Sequence, residues 1–437
     1  MTNIPDYVKL EMRCAQLMAQ QEASGFRFDL VCAEQVKEEL AREAEKLSEK
    51  IRADFPYFPG KVFTPKRTQT KNGYFAGAPM TKLLDFNPTS RQHIAWALTT
   101  FRGARFIKQT DTGKPKVDEA ILSEIRDTAL SSGNPQLAED CDNFIQLLNL
   151  QKSVGQLSEG ANSWLNSYNE STGCIHHSCS LATVTGRNAH RGPNLGQVNS
   201  APWARKLFVP HQGHQLVGVD LEGLELRVLG HYLAAFDDGN FADVVVNGDV
   251  HQQNADRVGC TRKQVKTLTY AFMYGAGDAK LGHSLQPELS DSQKKALGSD
   301  LRRKFLEAIP GLGPLVDAVK EKVRIKQRLK GLDGRPIHCR AEHSGLNFLC
   351  QSAGAILSKR WVVVGQELLD AEGLEYDRDY TRCAYVHDEV QLSVVPSLAE
   401  KIRRILESAA SLAGEYYHFR VPITASGNVG ENWAETH

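Results

Sequence analysis

Two apolar stretches that read as strands each end in acids, and they lie far apart in the chain. The first, Gln215-Leu216-Val217-Gly218-Val219, runs into Asp220, and an amphipathic helix begins almost at once. The second leads to Tyr385-Val386-His387-Asp388-Glu389-Val390, with an Asp-Glu pair at a hairpin tip. Between them the pattern is mostly helical from Leu221 to about Arg328, broken at Gly275-Ala276-Gly277 and Pro310-Gly311-Leu312-Gly313. Strands and helices therefore do not alternate as βαβα units, and the order predicts a mixed α+β fold. Two strand-end aspartates can meet across one sheet, and paired carboxylates can hold two Mg²⁺ ions about 3.5–4 Å apart for phosphoryl transfer. Taken alone, an Asp-Glu pair at a hairpin tip is usually just a solvated turn.

The rest of the chain frames these strands. Helical patterning runs from Ser24 to Ile51 behind an Asp29 start signal, from about Ser90 to Ala97, and from Val117 to Leu165. From Arg52 to Phe86 it gives way to Pro, Gly, Thr and aromatic residues, with Lys61, Lys66, Arg67, Lys71 and Lys82 and no acid between Asp54 and Asp85. That is a locally basic loop or small strand-rich insert. Strands dominate from Cys174 to Val219 apart from the loop at 186–200, and the tail holds a helix from Ser344 to Gln366, the hairpin, and a last strand near Val421.

A length of 437 residues suggests two or three domains. Hydrophobic residues at 41% and charged residues at 24% argue against disorder and against a membrane protein. The amphipathic start, Met1 to Gln20, is no export signal, and nine thinly spread cysteines fit reduced thiols, so a cytoplasmic location is expected. Cys174, His176, His177 and Cys179 could bind zinc, but alternate strand residues face opposite ways, and a plain strand is the expectation. The 52 basic and 52 acidic residues cancel, so only local clustering can mark a nucleic-acid partner.

Three further patterns carry chemistry. On the helix after Asp220, Leu221, Val228, Leu229, Tyr232 and Phe236 share a face with Glu225 in its middle, an unusual place for a carboxylate unless it has a partner or a function. A helix starting near Thr261 carries Arg262, Lys263 and Lys266 at its N-terminus, where cations oppose the dipole unless an anion sits there. Arg262, Lys266 and Tyr270 follow one side, two cations and then a ring, matching a triphosphate and nucleobase or, more blandly, a phosphate backbone or solvent. The loop Thr185–Gln197 gathers Arg187, Asn188, Asn194 and Gln197, and Asn347 and Gln351 repeat amide chemistry at i, i+4. Such donors suit the minor-groove acceptors that every base pair presents.

In this order the patterns resemble the motif set of family A DNA polymerases, over about Asp6 to His437. Asp220-Leu221-Glu222-Gly223-Leu224-Glu225-Leu226-Arg227 and Val386-His387-Asp388-Glu389 resemble the two palm motifs. Arg262, Lys266, Tyr270, Tyr274 and Gly275 fall on the fingers-helix motif, and Thr185-Gly186-Arg187 on the primer-side loop. Gly248-Asp249-Val250-His251 and the closing Gly430-Glu431-Asn432-Trp433 with His437 are closer to the T-seven-like phage branch than to the bacterial repair branch.

The resemblance implies a right-hand fold with an antiparallel-sheet palm, helical fingers and a helical thumb. Residues 1–19 would be a lead-in helix, 20–170 the thumb with the short insert at about 52–86, 171–232 and 346–437 the palm, and 233–345 the fingers. It implies that Asp220, Asp388 and the Leu221 carbonyl hold two Mg²⁺ ions, which Mn²⁺ can replace, with Glu389 a nearby support and Lys266 counted among the catalytic groups. Arg262, Lys266 and His251 would contact the dNTP, Tyr270 would stack on it, and Glu225 would exclude a ribose 2′-OH. Tyr274 would pack at the template base, while Arg187, Asn194, Gln197, Asn347, Gln351 and His387 would contact primer-template DNA. The start of the sequence leaves no room for a proofreading exonuclease, so a separately encoded exonuclease subunit is a candidate partner. The short insert weighs against a thioredoxin-type processivity factor. An RNA polymerase of the single-subunit type is the nearest rival, opposed by Glu225. A catalytically inactive primer-template binding subunit is opposed by both aspartates, Arg262 and Lys266.

Overall fold

A computed structural model describes residues 4–286 and 289–437. The chain separates into two compact units, one built from 4–33, 160–286 and 290–437, the other essentially Glu34–Glu159. Among the described residues no helix is long and apolar enough to cross a membrane.

At the centre of the first unit is a four-stranded antiparallel sheet. Its strands are β3 (Gln215–Leu221), β4 (Tyr380–Val386), β5 (Glu389–Val394) and β6 (Ala425–Gly430), in the order β4-β5-β3-β6. Every residue of β4 and β5 is buried, which explains their apolar runs. Helix α5 (Gly345–Ala371) is apolar nearly all round because it is enclosed nearly all round. It packs on α1 (Asp6–Ser24) and on α6 (Ala399–Tyr416), where Trp361 Nε1 donates to the Leu406 carbonyl at 2.7 Å. Helices α2 (Leu224–Leu233), α3 (Val250–Val258) and α4 (Arg262–Met273) follow β3. A small hairpin, β1 (Ser178–Ser180) with β2 (Ala189–Arg191), precedes it.

The chain end closes over this sheet. Trp433 is 1% exposed, with its ring beside Phe26 and Phe208 and the Arg205 guanidinium 5.1 Å from the ring centre. The close approach depends on Gly218, where a Cβ would stand 2.5 Å from the Thr436 carbonyl and 2.4 Å from Gln391 Nε2.

The second unit is helical, with Arg91–Arg102, Glu119–Ser131, Pro135–Ser158 and most of Leu30–Asp54 around a core that includes Ile51, Phe55, Leu98 and Phe144. Asp29 does act as a start signal, accepting from the Cys32 amide at 2.9 Å. The basic insert is a two-stranded hairpin, Tyr57–Phe63 with Met80–Asp85, whose five lysine and arginine side chains are exposed.

Several element readings change: Leu221, expected on the helical face, is the last residue of β3, and the helix expected from Ser24 begins only at Leu30. The last strand is Ala425–Gly430, not near Val421, which is buried but outside a strand. Helix α6 had no counterpart in the sequence reading. Phe236 lies beyond the end of α2, 42% exposed, and does not share its buried face.

Gly218→Ala is expected to push the tail off the sheet, costing about 1–3 kcal/mol as overpacking does. Carboxypeptidase digestion and thermal unfolding measure it, and the variant should lose its last residues faster than the parent.

Candidate active site

Asp220 on β3 lies directly opposite Glu389 on β5. Directly opposed residues of an antiparallel pair share a face, and the ligand-type atoms of Asp220, Glu389 and the terminal His437 all fall within 4.8 Å of one another. Asp388 occupies the turn between β4 and β5, and its carbonyl accepts from the Leu221 amide at 3.0 Å. His387 in that turn has φ +59°, a left-handed value that non-glycine residues seldom adopt. Its carbonyl accepts from Ser358 Oγ of α5 at 2.8 Å, and Ser358 in turn accepts from the Tyr385 hydroxyl at 2.7 Å. The turn is thereby held to the central helix.

The three acids differ in electrostatics. Burial, then the charges of Asp388 and Glu389, push the Asp220 carboxyl up to about 7. Burial, then Glu225, pushes Asp388 up to about 6. Burial also acts to raise Glu389, but donors outweigh it and hold this group below the usual carboxylate range. Those donors are His437 Nδ1 at 3.0 Å, Gln391 Nε2 at 2.6 Å and Trp433 Nε1. Asp220 and Asp388 are thus two crowded carboxyls with a strained negative charge, and Glu389 is a satisfied anion beside them. A set of carboxylates with a nearby backbone carbonyl suits hard divalent cations, which would relieve that crowding.

Glu225 stands in the first turn of α2, after Gly223 at φ +56°. The buried face of α2 is Leu224, Val228, Leu229, Gly230 and Leu233, so Glu225 flanks the apolar stripe rather than sitting within it. Its Oε1 accepts from the Tyr274 hydroxyl at 2.9 Å and lies 3.8 Å from Arg187 Nη2. A cleft lined by Arg187, Glu225, Ala355, Tyr385, His387 and Asp388 joins these groups.

Helix α4 begins with a capping box between Thr261 and Gln264. The anion expected at its cationic start is Asp249, which accepts from Arg262 Nε at 2.7 Å and caps α3 by accepting from the Gln252 amide. Lys266 is exposed, while His251 is 7% exposed with its ring 6.1 Å from that of Tyr270. Burial raises the Tyr270 phenol, and the charges of Glu225 and Asp388 add to it, while Tyr274, which follows the helix, donates to Glu225. Asn347 and Gln351 are half-buried on α5. Asn194 and Gln197 lie on the turn after β2, where Asn194 Oδ1 accepts from the Gly196 amide at 3.1 Å.

Sequence reasoning assigned no site role to His437, Trp433, Gln391 or Ser358. The closing motif around Trp433 was visible as wording, but only folding brings it onto Glu389.

Fold and site together define a nucleic-acid polymerase: acids gathered at the end of an antiparallel sheet, faced by a helix bearing Arg, Lys and Tyr. The family model for DNA polymerase family A matches residues 70–435, and the chain belongs to that family. It is 32% identical to the DNA-directed DNA polymerases of Enterobacteria phage T3 and Escherichia phage T7, in each case over 98% of this chain and 70% of theirs. The thermostable DNA polymerase I of Thermus thermophilus is 24% identical over 98% of this chain and 48% of its own. Among solved structures, the POL domain of Pol1 from M. smegmatis, in complex with DNA primer-template and dNTP, superimposes with a TM-score of 0.77 at 19% identity, covering 97% of this chain and 70% of that one.

A raised carboxyl pKa favours the fold when the group is neutral. Asp220's contribution is therefore complete below its ordinary pKa of 3.8 and lost as pH rises through about 7. In metal-free buffer Asp220→Asn should unfold at a higher temperature than the parent near pH 8, with the difference shrinking toward pH 4. Calorimetry across that range measures it.

Proposed function

We propose that this chain is a DNA-directed DNA polymerase that adds dNTPs to a primer 3′ end by two-metal phosphoryl transfer. The observation that carries the reading is the convergence of Asp220, on central strand β3, and Asp388, in the turn between β4 and β5, near a helix that carries Arg262, Lys266 and Tyr270. On this reading the sheet and α5 act as palm, the helices from 233 to 345 as fingers and the unit around Glu34–Glu159 as thumb.

Asp220, Asp388 and the Leu221 carbonyl would hold two Mg²⁺ ions, or Mn²⁺ in their place. When bound, such ions lower the pKa of an attacking hydroxyl and neutralise charge on the leaving oxygen. Glu389, kept ionised by its three donors, holds the local field negative without being a required ligand. Arg262, Lys266 and His251 take the triphosphate, with Lys266 offsetting charge on the departing pyrophosphate. Tyr270 packs on the base or sugar and Tyr274 at the template position. Arg187, Asn194, Gln197, Asn347, Gln351 and His387 contact primer-template through acceptors common to all base pairs. No excision chemistry is assigned to this chain, and a mismatched, 3′-labelled primer held with Mg²⁺ but without dNTPs should keep its label.

Asp220→Ala and Asp388→Ala should each lower primer extension by roughly 10³-fold or more while leaving gel-shift affinity for primer-template nearly unchanged. Extension by either variant at parental rates would overturn the reading. Glu225 is proposed to block the 2′-OH because the Tyr274 hydroxyl pins it beside the acids. Glu225→Ala should then shift the dNTP to NTP ratio of kcat/KM toward ribonucleotides by at least about tenfold.

A further inference from the structure

At the foot of the hairpin before the sheet, a second group of side chains has the composition of a metal centre. Cys179 on β1 is paired with His190 on β2, so the two share a face. His177, two residues before Cys179, joins them, and the ligand-type atoms of all three lie within 4.8 Å of one another. Cys179 Sγ is 3.3 Å from His190 Nδ1, and the two imidazole rings stack with centroids 5.3 Å apart. Gln21 of α1 closes the group, its Nε2 3.0 Å from His177 Nε2 and 3.5 Å from Cys179 Sγ.

Hydrogen bonding alone does not satisfy this arrangement. His177 is 1% exposed, and its Nδ1 is buried without a partner, a state that native polar atoms seldom keep. The spacing instead suits coordination. In tetrahedral zinc sites, bonds of about 2.3 Å to sulfur and about 2.0–2.1 Å to nitrogen put neighbouring ligands roughly 3.5 Å apart. Two imidazoles and a thiol are donor types that zinc-class ions take.

We propose that His177, Cys179 and His190 bind a zinc-class divalent cation at the foot of the loop that carries Arg187. A half-turn of the Gln21 amide would bring its oxygen in as a fourth donor. This set of two imidazoles and a thiolate is softer than the all-oxygen set at Asp220 and Asp388, so it selects a different ion. Binding would break the Cys179 S–H bond, form a metal–sulfur bond and release the proton to solvent. The cation would clip the hairpin to α1 and fix both ends of the loop between β1 and β2. Cys174 and His176 take no part: Cys174 pairs in a separate strand, and His176 Nδ1 lies 2.8 Å from the Glu22 carbonyl.

The test uses the full chain, stripped with chelator and titrated with Co²⁺ and Zn²⁺. Co²⁺ should give a thiolate-to-metal charge-transfer band and Zn²⁺ should abolish it. Elemental analysis after desalting should find about one zinc per chain. Cys179→Ser should lose the band and weaken zinc binding at least about tenfold, whereas Asp220→Asn combined with Asp388→Asn should keep both. Absence of the band in the parent protein overturns the proposal whether or not Cys179→Ser folds. So does zinc that survives Cys179→Ser and is lost with the two aspartates.

Discussion

Glu389 carries its charge inside a sheet, and it does so because three donors from two places in the chain meet on it. Gln391 is two residues along the same strand, while Trp433 and His437 belong to the closing segment. An unpaired carboxylate at this depth would be untenable, so the sheet end and the chain terminus have to form together. Glu389 is also the register partner of Asp220. A slip of one residue would turn every side chain of β5 to the opposite face, removing the carboxylate from its donors and separating it from Asp220. One satisfied anion thereby fixes the alignment on which the neighbouring acids depend.

The two less comfortable carboxyls follow from the same arrangement. Asp220 and Asp388 have no comparable set of donors to offset burial and mutual repulsion, and both are shifted toward neutrality. Opposite them, Arg262 is tied to Asp249. An anionic ligand reaching this helix therefore meets a guanidinium already in partnership, in an exposed pair of the kind that contributes little to stability and exchanges readily.

The strands were legible in the sequence because β4 and β5 are buried throughout and announce themselves as apolar runs. Helix α4 was legible from the order of Arg262, Lys266 and Tyr270, and the family resemblance rested on joining such segments. What escaped depended on contacts distant in sequence. Helix α6 is the exception, since Ile402, Leu406, Ala409 and Ala413 recur at helical spacing and its pattern is local. Glu225 was read as central to an apolar stripe because a helical wheel does not show where α2 starts, and at its first turn the side chain leans out toward Tyr274. His190 was missed beside His177 and Cys179 because a strand pairing, not sequence proximity, brings it there.

Helix α5 joins two parts of the molecule in a way that resembles a ruler. Asn347, Gln351 and Ser358 follow one another at i, i+4 and i+11, one stripe of the same rod. At a rise of about 1.5 Å per residue, Asn347 and Ser358 are held roughly 16 Å apart. Ser358 grips the turn bearing Asp388, so the separation between that turn and the amide side chains is set by backbone geometry rather than by the packing of any loop. Loop sequences around it can drift without changing the gauge, and only a kink in α5 could recalibrate it.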